Sequence, residues 1–392
     1  MVSWPAMGGN SVVISRFSLQ IVGAIALVGV ACTVEDAADS GAGGSSTSAD
    51  TTMSPATSMD ATSQSSVDDT TMGVVDSGPI PEDFAVSDLP PVINVDCRDE
   101  PPAGAELPPP LPTYGGECPL LVPGLNSIDS TGNAREFLLI LPDDLEPEEN
   151  LPVVFLWHWL GGDADAFLEQ GDVQTAVNEF RFAAVIPEEK GDLLFRWPFT
   201  ILDPEPRVQE EYQFFDDMLA CVAEQYTIEE NCISSAGVSA GGLFTSQLAS
   251  GRGEYLASFL SLSGGTGGAA VKPWGGSSHK MPAMVLWGGA MDFCVAVDFN
   301  ATSLDLEMNL DDEGHFILEC IHDCMHSAPP FDMGAGETAF APMWQFVTAH
   351  PYWLEDGQSP YVSGIPEGIP QWCGVGLGGA TPREGECGPD QC

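Results

Sequence analysis

From residue 136 onward the chain alternates short, largely apolar segments with stretches of helical character, several of the apolar segments closed by Pro or Gly. The apolar segments are Glu136-Phe-Leu-Leu-Ile-Leu141, Leu151-Pro-Val-Val-Phe-Leu156, Phe182-Ala-Ala-Val-Ile186, Ile233–Val238, Leu256–Leu262, Ala283–Trp287 and Phe316–Cys320. Strands that are apolar on both sides must be covered on both sides, which is the condition of a mostly parallel sheet between helical layers. Between them, apolar residues at 208, 212, 215, 219, 222 and 226 repeat with 4-3-4-3-4 spacing and predict an amphipathic helix with one core face. Further helices are expected from Gly241, near Leu304–Asp312 and at Ala341–Ala349. The fold class expected is α/β.

What precedes this region belongs to a different physical class. Arg16 is the only charged residue before Cys32, and the apolar run Ile21 to Ala31 is too short to cross a bilayer as a helix, so residues 1–31 read as a signal peptide. The run ends Val28-Gly29-Val30-Ala31-Cys32, which resembles a bacterial lipobox with Cys32 as the lipidated residue. Gly29 stands where that motif prefers Leu. Residues 32–90 are rich in Ser, Thr and Asp, contain no Lys or Arg and have one aromatic, Phe84. Such a segment buries too little apolar surface to offset its ordering entropy and reads as a disordered tether. Residues 91–372 are expected to form the catalytic domain, entered through a Pro-rich lead-in, with a Cys- and Gly-rich tail at 373–392. The expected location is outside the cytoplasm, as an outer-membrane or cell-surface lipoprotein, or otherwise secreted.

Charge and cysteine content narrow the functions. The chain carries 58 Asp and Glu against 11 Lys and Arg, a formal charge of −47. A polyanion of this size is repelled by phosphate backbones and anionic lipid surfaces, so no nucleic-acid partner is expected and membrane contact only through a lipid. Ten cysteines remain besides Cys32, an even set that in an exported chain implies up to five disulfides. Cys221 and Cys232 are expected as a local pair. No C-x-x-C pair exists, and the acidic run Asp305–Asp312 lacks the Gly that an EF-hand loop needs, so no metal site is expected.

The chemistry concentrates at strand ends. Gly237-Val238-Ser239-Ala240-Gly241 lies between a strand and a helix, where small neighbours let the chain turn sharply and expose the serine hydroxyl. A serine needs a base, and the base an orienting acid. Asp292 follows the strand Ala283–Trp287, and His322 and His326 both follow Phe316–Cys320, in a chain with only six histidines.

With Gly237-Val-Ser-Ala-Gly-Gly242, the Gly289-Ala-Met-Asp292 turn and Cys324-Met-His326 before a Trp-containing helix ending His350-Pro351, residues 136–351 resemble the polyhydroxybutyrate-depolymerase and feruloyl-esterase group of secreted α/β-hydrolases. The resemblance implies the α/β-hydrolase fold and a serine esterase or depolymerase needing no cofactor. By it Ser239 is the nucleophile, His326 the base, with His322 the alternative, and Asp292 the acid. The backbone N–H groups of Ala240 and Leu160 would form the oxyanion hole. The group has His-Gly where this chain has His158-Trp159, so the oxyanion turn and the substrate class are where it departs. Trp159, Trp197 and Trp274, in loops near strand ends, are candidates to hold a phenolic, sugar or polyester substrate. If the Asp292 and His326 loops converge, Cys294 is expected to pair with Cys324, or else with Cys320. Rival readings are a serine peptidase on the same fold and a catalytically silent, surface-tethered binding module.

Overall fold

The chain enters its sheet through a hairpin. β1 (Gly124–Ser130) and β2 (Asn133–Ile140) pair antiparallel around Thr131-Gly132. Both turn residues have positive φ, 53° and 77°, the handedness that matches the twist of the flanking strands. The computed structural model describes residues 95–331, 338–387 and 392. The proposed signal segment, Cys32 and the tether to residue 90 lie outside the described residues.

After the hairpin come β3 (Leu151–Trp157), α1 (Ala164–Gln170), α2 (Val173–Phe180), β4 (Ala183–Pro187), α3 (Glu205–Gln225), β5 (Ile228–Val238) and α4 (Ala240–Arg252). They are followed by β6 (Ser258–Leu262), β7 (Ala283–Trp287), a two-residue ribbon of β8 (Phe293–Cys294) and β9 (Val297–Asp298), and α5 (Phe299–Glu313). β10 (Ile317–Ile321), α6 (Ala341–Thr348) and β11 (Cys373–Val375) complete the domain. Among the described residues nine strands form one sheet, in the order β1-β2-β4-β3-β5-β6-β7-β10-β11. The centre, from β4 to β10, is parallel, and the added strands at both ends run antiparallel. This is the expected architecture, the α/β-hydrolase fold.

Alternation of side chains along the strands explains why both faces are apolar. Val153, Phe155 and Trp157 enter one core with α3, α4 and α5, whereas Val154 and Leu156 enter the other with α1, α2 and α6. The spacing read in α3 holds: Val208, Tyr212, Phe215, Leu219 and Val222 are all buried. Burying each apolar side chain of that stripe contributes roughly 1.5–3 kcal/mol, which is why tertiary packing and not helix propensity holds the helix. β1, α1, α2 and β11 were not expected. α1 and α2 are one or two turns each and too short to show a period. β11 is three residues inside the segment read as a tail, and it becomes the edge strand beside β10.

Among the described residues five disulfides join Cys97 to Cys232, Cys118 to Cys221, Cys294 to Cys392, Cys320 to Cys373 and Cys324 to Cys387. Both expected pairings are thereby corrected. Cys221 sits in the core under α3, but Cys232 precedes Ile233, which occupies that core, and so points to the opposite face. There it meets Cys97, whose N–H donates to Thr348 O of α6. The sheet itself separates Cys221 from Cys232. Cys294 pairs with neither Cys324 nor Cys320, because the β8–β9 ribbon turns it to the wall shared with Cys392 while Cys324 and Cys320 are buried against Cys387 and β11. The acid and base loops are therefore each stapled to the C-terminal segment and not to each other.

One buried group sets a pH dependence of stability. Glu307 of α5 is fully buried, and burial together with the neighbouring Glu319 of β10 pushes its carboxyl from 4.5 up to about 9. Glu319 in turn accepts N–H bonds from Gly378 (3.1 Å) and Ala380 (2.7 Å). A carboxyl that keeps its proton only when folded makes the unfolded state the poorer proton binder between those two values, so this group's contribution falls as pH rises from 4.5 toward 9. Glu307→Gln, isosteric and uncharged throughout, is expected to raise the melting temperature at pH 8 and to have little effect near pH 4.5. Thermal unfolding of both proteins across that range checks it; equal shifts at both pH values would contradict the assignment.

Candidate active site

The nucleophile turn is built by close approach. β5 ends at Val238, α4 starts at Ala240, and Ser239 between them has φ 56° and ψ −118°, a conformation that costs a non-glycine residue free energy. A Cβ on Gly241 would lie 1.9 Å from Trp157 O, and one on Gly237 would lie 2.2 Å from Gly241 O. The two glycines of the motif are thus required by backbone packing. Ser239 N–H donates to Leu262 O at the end of β6 (2.9 Å), and Leu243 N–H to Ser239 O (2.9 Å), which holds the strained residue from both sides.

Two other strand ends bring partners to this serine. His326 Nε2 lies 2.9 Å from Ser239 Oγ, and its Nδ1 lies 2.7 Å from Asp292 Oδ1. A carboxylate only accepts, so Nδ1 carries the hydrogen and Nε2 is left to accept from the serine hydroxyl. The second oxygen of Asp292 accepts from Ser263 Oγ (2.7 Å) and from Gly288 N–H (2.8 Å). Gly288 approaches the base loop so closely that a Cβ there would lie 1.7 Å from Met325 O. The His326 ring stacks on Phe299 at the start of α5, centroids 4.3 Å apart. Asp292 is fully buried, and Ser239 and His326 are nearly so but face the cavity.

His322 does not reach this group. It is fully buried after β10, its Nδ1 accepts the N–H of Cys324 (3.1 Å), and burial pushes its imidazole down to about 4. It is a neutral residue that shapes the turn carrying His326.

The residues expected for the oxyanion hole, Ala240 and Leu160, line the same cavity as the serine. Ala240 is the first residue of α4, whose opening N–H groups have no acceptor within the helix. Leu160 lies in the turn after β3 and lines the same cavity, with Gly161 at φ 82° and Gly162 N–H bonded to Trp159 O (3.0 Å). His158 is buried beneath that turn, its carbonyl accepting from Trp197 Nε1 (2.8 Å) and its Nδ1 3.0 Å from Trp159 O.

Of the three tryptophans, Trp159 lines the cavity and leans on Phe167. The other two do not, which corrects the expectation. Trp197 is wholly buried, edge-on to Trp157 and stacked on Phe244, and serves as the support of the His158 carbonyl. Trp274 is buried against Phe259, away from the cavity. Tight turns at Phe195–Trp197 and Trp197–Phe199, with Arg196 at φ 71°, send Trp197 inward while Phe195 and Phe199 line the cavity. Sequence reading missed these two, and also Phe299, Phe340 and Trp344. The aromatic pattern Phe195-x-Trp197-x-Phe199 was a visible signal, but its direction depended on the turns.

The cavity holds about 650 Å³, and among the described residues no Asp, Glu, Lys or Arg lines it. In a chain of charge −47, that is a selective exclusion of charge. A hydroxyl bonded to an imidazole that is bonded to a buried carboxylate, beside an uncharged pocket, can transfer an acyl group through the serine.

The chain has the α/β-hydrolase fold, with Ser239, His326 and Asp292 hydrogen-bonded in line at its strand ends. No family model matches the chain. A 151-residue stretch is 24% identical to "Probable feruloyl esterase C" of Aspergillus niger, which takes in 38% of this chain and 52% of that protein. The chain thus spans about half the length of the curated relative it matches. Among solved structures, a variant of the protein designated pOPH, in complex with DMSO, superposes with a TM-score of 0.52 at 16% identity, covering 71% of this chain and 96% of that one. Native sOPH superposes with a TM-score of 0.52 at 18% identity, covering 68% and 97%. These structural likenesses establish the fold, and the feruloyl esterase similarity agrees with the resemblance read from the motifs.

Proposed function

We propose that this chain is an exported serine hydrolase of carboxylic esters. The observation that carries the reading is the unbroken hydrogen-bond chain Ser239–His326–Asp292 opening into an uncharged cavity. His326 Nε2 takes the serine proton as Oγ attacks the ester carbonyl, and Asp292 stabilises the imidazolium that results. The tetrahedral oxyanion is met by the N–H groups of Ala240 and Leu160. His326 then protonates the departing alkoxide, and water activated by the same nitrogen releases the acid from the acyl-enzyme. No cofactor enters these steps.

The cavity favours an ester whose acyl or alcohol part is bulky, apolar and uncharged. Aromatic walls from Trp159, Phe195, Phe199, Phe299 and Trp344 suit a phenyl-sized or larger group, as in feruloyl or polyhydroxyalkanoate esters. Apolar side chains are also exposed beside it in sequence: Met291 next to Asp292, Phe293 next to Cys294 and Leu194 next to Phe195 are each more than half exposed. The test is ester-substrate profiling together with fluorophosphonate labelling located by mass spectrometry. Hydrolysis of neutral aryl and alkyl esters with label on Ser239 supports the reading; labelling elsewhere, or cleavage of amides in preference to esters, overturns it.

The same proposal includes attachment through a lipid at Cys32, motivated by the short apolar run before it and the polar tether after it. The mature protein is expected to partition into detergent and Cys32→Ser to release it into the aqueous phase. An unmodified mature N-terminus beyond Cys32 would exclude the anchor.

A further inference from the structure

Ser263 is a polar side chain buried at the exit of β6 that the catalytic steps above do not use. Its backbone has φ 41°, in the region that disfavours a residue with a Cβ, so something must hold it there. Its N–H donates to Leu286 O of β7 (2.6 Å), and its hydroxyl donates to Asp292 Oδ2 (2.7 Å). The residue before it, Leu262, supplies the carbonyl that holds the N–H of Ser239. Two consecutive residues of one strand end therefore touch the nucleophile's backbone and the acid's side chain.

We infer that Ser263 is a positioning residue that locks the Asp292 carboxylate and thereby holds His326 in register with Ser239. The inference rests on the reading of Asp292 as the orienting acid. A carboxylate on a short side chain can rotate and offer either oxygen. Here Gly288 N–H and the Ser263 hydroxyl both occupy Oδ2, which leaves Oδ1 alone to face His326 Nδ1. Gly288 is fixed by its backbone packing against Met325, so the hydroxyl is the donor that side-chain chemistry can remove.

The test is Ser263→Ala in the full chain, assayed with a small p-nitrophenyl ester. A hydrogen bond to a charged group has a strength that corresponds to roughly tenfold to hundredfold in rate, so kcat is expected to fall by that factor with KM unchanged. Because Ser263 acts through Asp292, the same substitution made in an Asp292→Asn background is expected to lose almost nothing further. An unchanged kcat, or an equal loss in both backgrounds, would overturn the proposal. A readout independent of turnover is the low-field proton NMR signal of the His326 Nδ1–H bond to Asp292. It is expected to shift or broaden in Ser263→Ala, and an unmoved signal would equally overturn the role. If the unaltered protein shows that signal but cleaves no ester, the functional reading fails while the positioning role is still decided by the spectrum.

Discussion

Ser239→Ala is expected to abolish ester hydrolysis and fluorophosphonate labelling while the protein stays folded. Loss of a triad nucleophile lowers kcat by about 10⁴–10⁶ in serine hydrolases generally, leaving only the contribution of the oxyanion donors and of substrate binding. The structure adds a reason to expect an intact fold. The strain of the turn lies in the backbone of residue 239, φ 56°, and its hydrogen bonds to Leu262 and Leu243 are made by backbone atoms. Alanine keeps all of these and removes only Oγ, whose partner is His326 Nε2. Circular dichroism and thermal unfolding should be close to those of the unaltered protein, and labelling should vanish. Full labelling in the variant would mean that another nucleophile reacts.

His326→Ala is expected to lose several orders of magnitude in kcat, and His322→Ala less than tenfold. His326 touches both Ser239 and Asp292, whereas His322 accepts a single backbone N–H inside the turn. Removing His322 leaves the Cys324 N–H without an acceptor in a buried place, so its effect should be seen as lower stability, about 1–3 kcal/mol, and only weakly in turnover. The double variant Ser239→Ala with His326→Ala should be no slower than either single one, because the two act as a unit. The reverse ranking of the two histidine variants would assign the base to His322.

The reach of local sequence is clear from the triad itself. A serine between glycines at a strand-to-helix turn, an aspartate just past a strand and a histidine in the loop after another are each set by nearest neighbours in the chain. Parallel strands place all such ends on one edge of the sheet, so local placement was enough to bring Ser239, Asp292 and His326 together. The motif match named His326 as the base and kept His322 as the alternative. The turn with Met325 at φ 54° chose between them, sending one to the cavity and the other inward.

Periodicity and strand ends thus determined the parallel centre of the sheet, the helices α3 to α6 and the chemistry at its edge, because those depend on residues a few positions apart. Side-chain partners between distant segments were decided only by the tertiary structure. Cys221 and Cys232 are near in sequence yet separated by the sheet, since neighbouring strand residues face opposite cores. Trp197 and its neighbours Phe195 and Phe199 share one short loop, yet the first supports the His158 carbonyl and the others line the cavity, because two tight turns set their directions. Ser263 carried no motif at all. Its role arises from the meeting of β6, β7 and the Asp292 turn, a coincidence of three chain segments that no local pattern encodes.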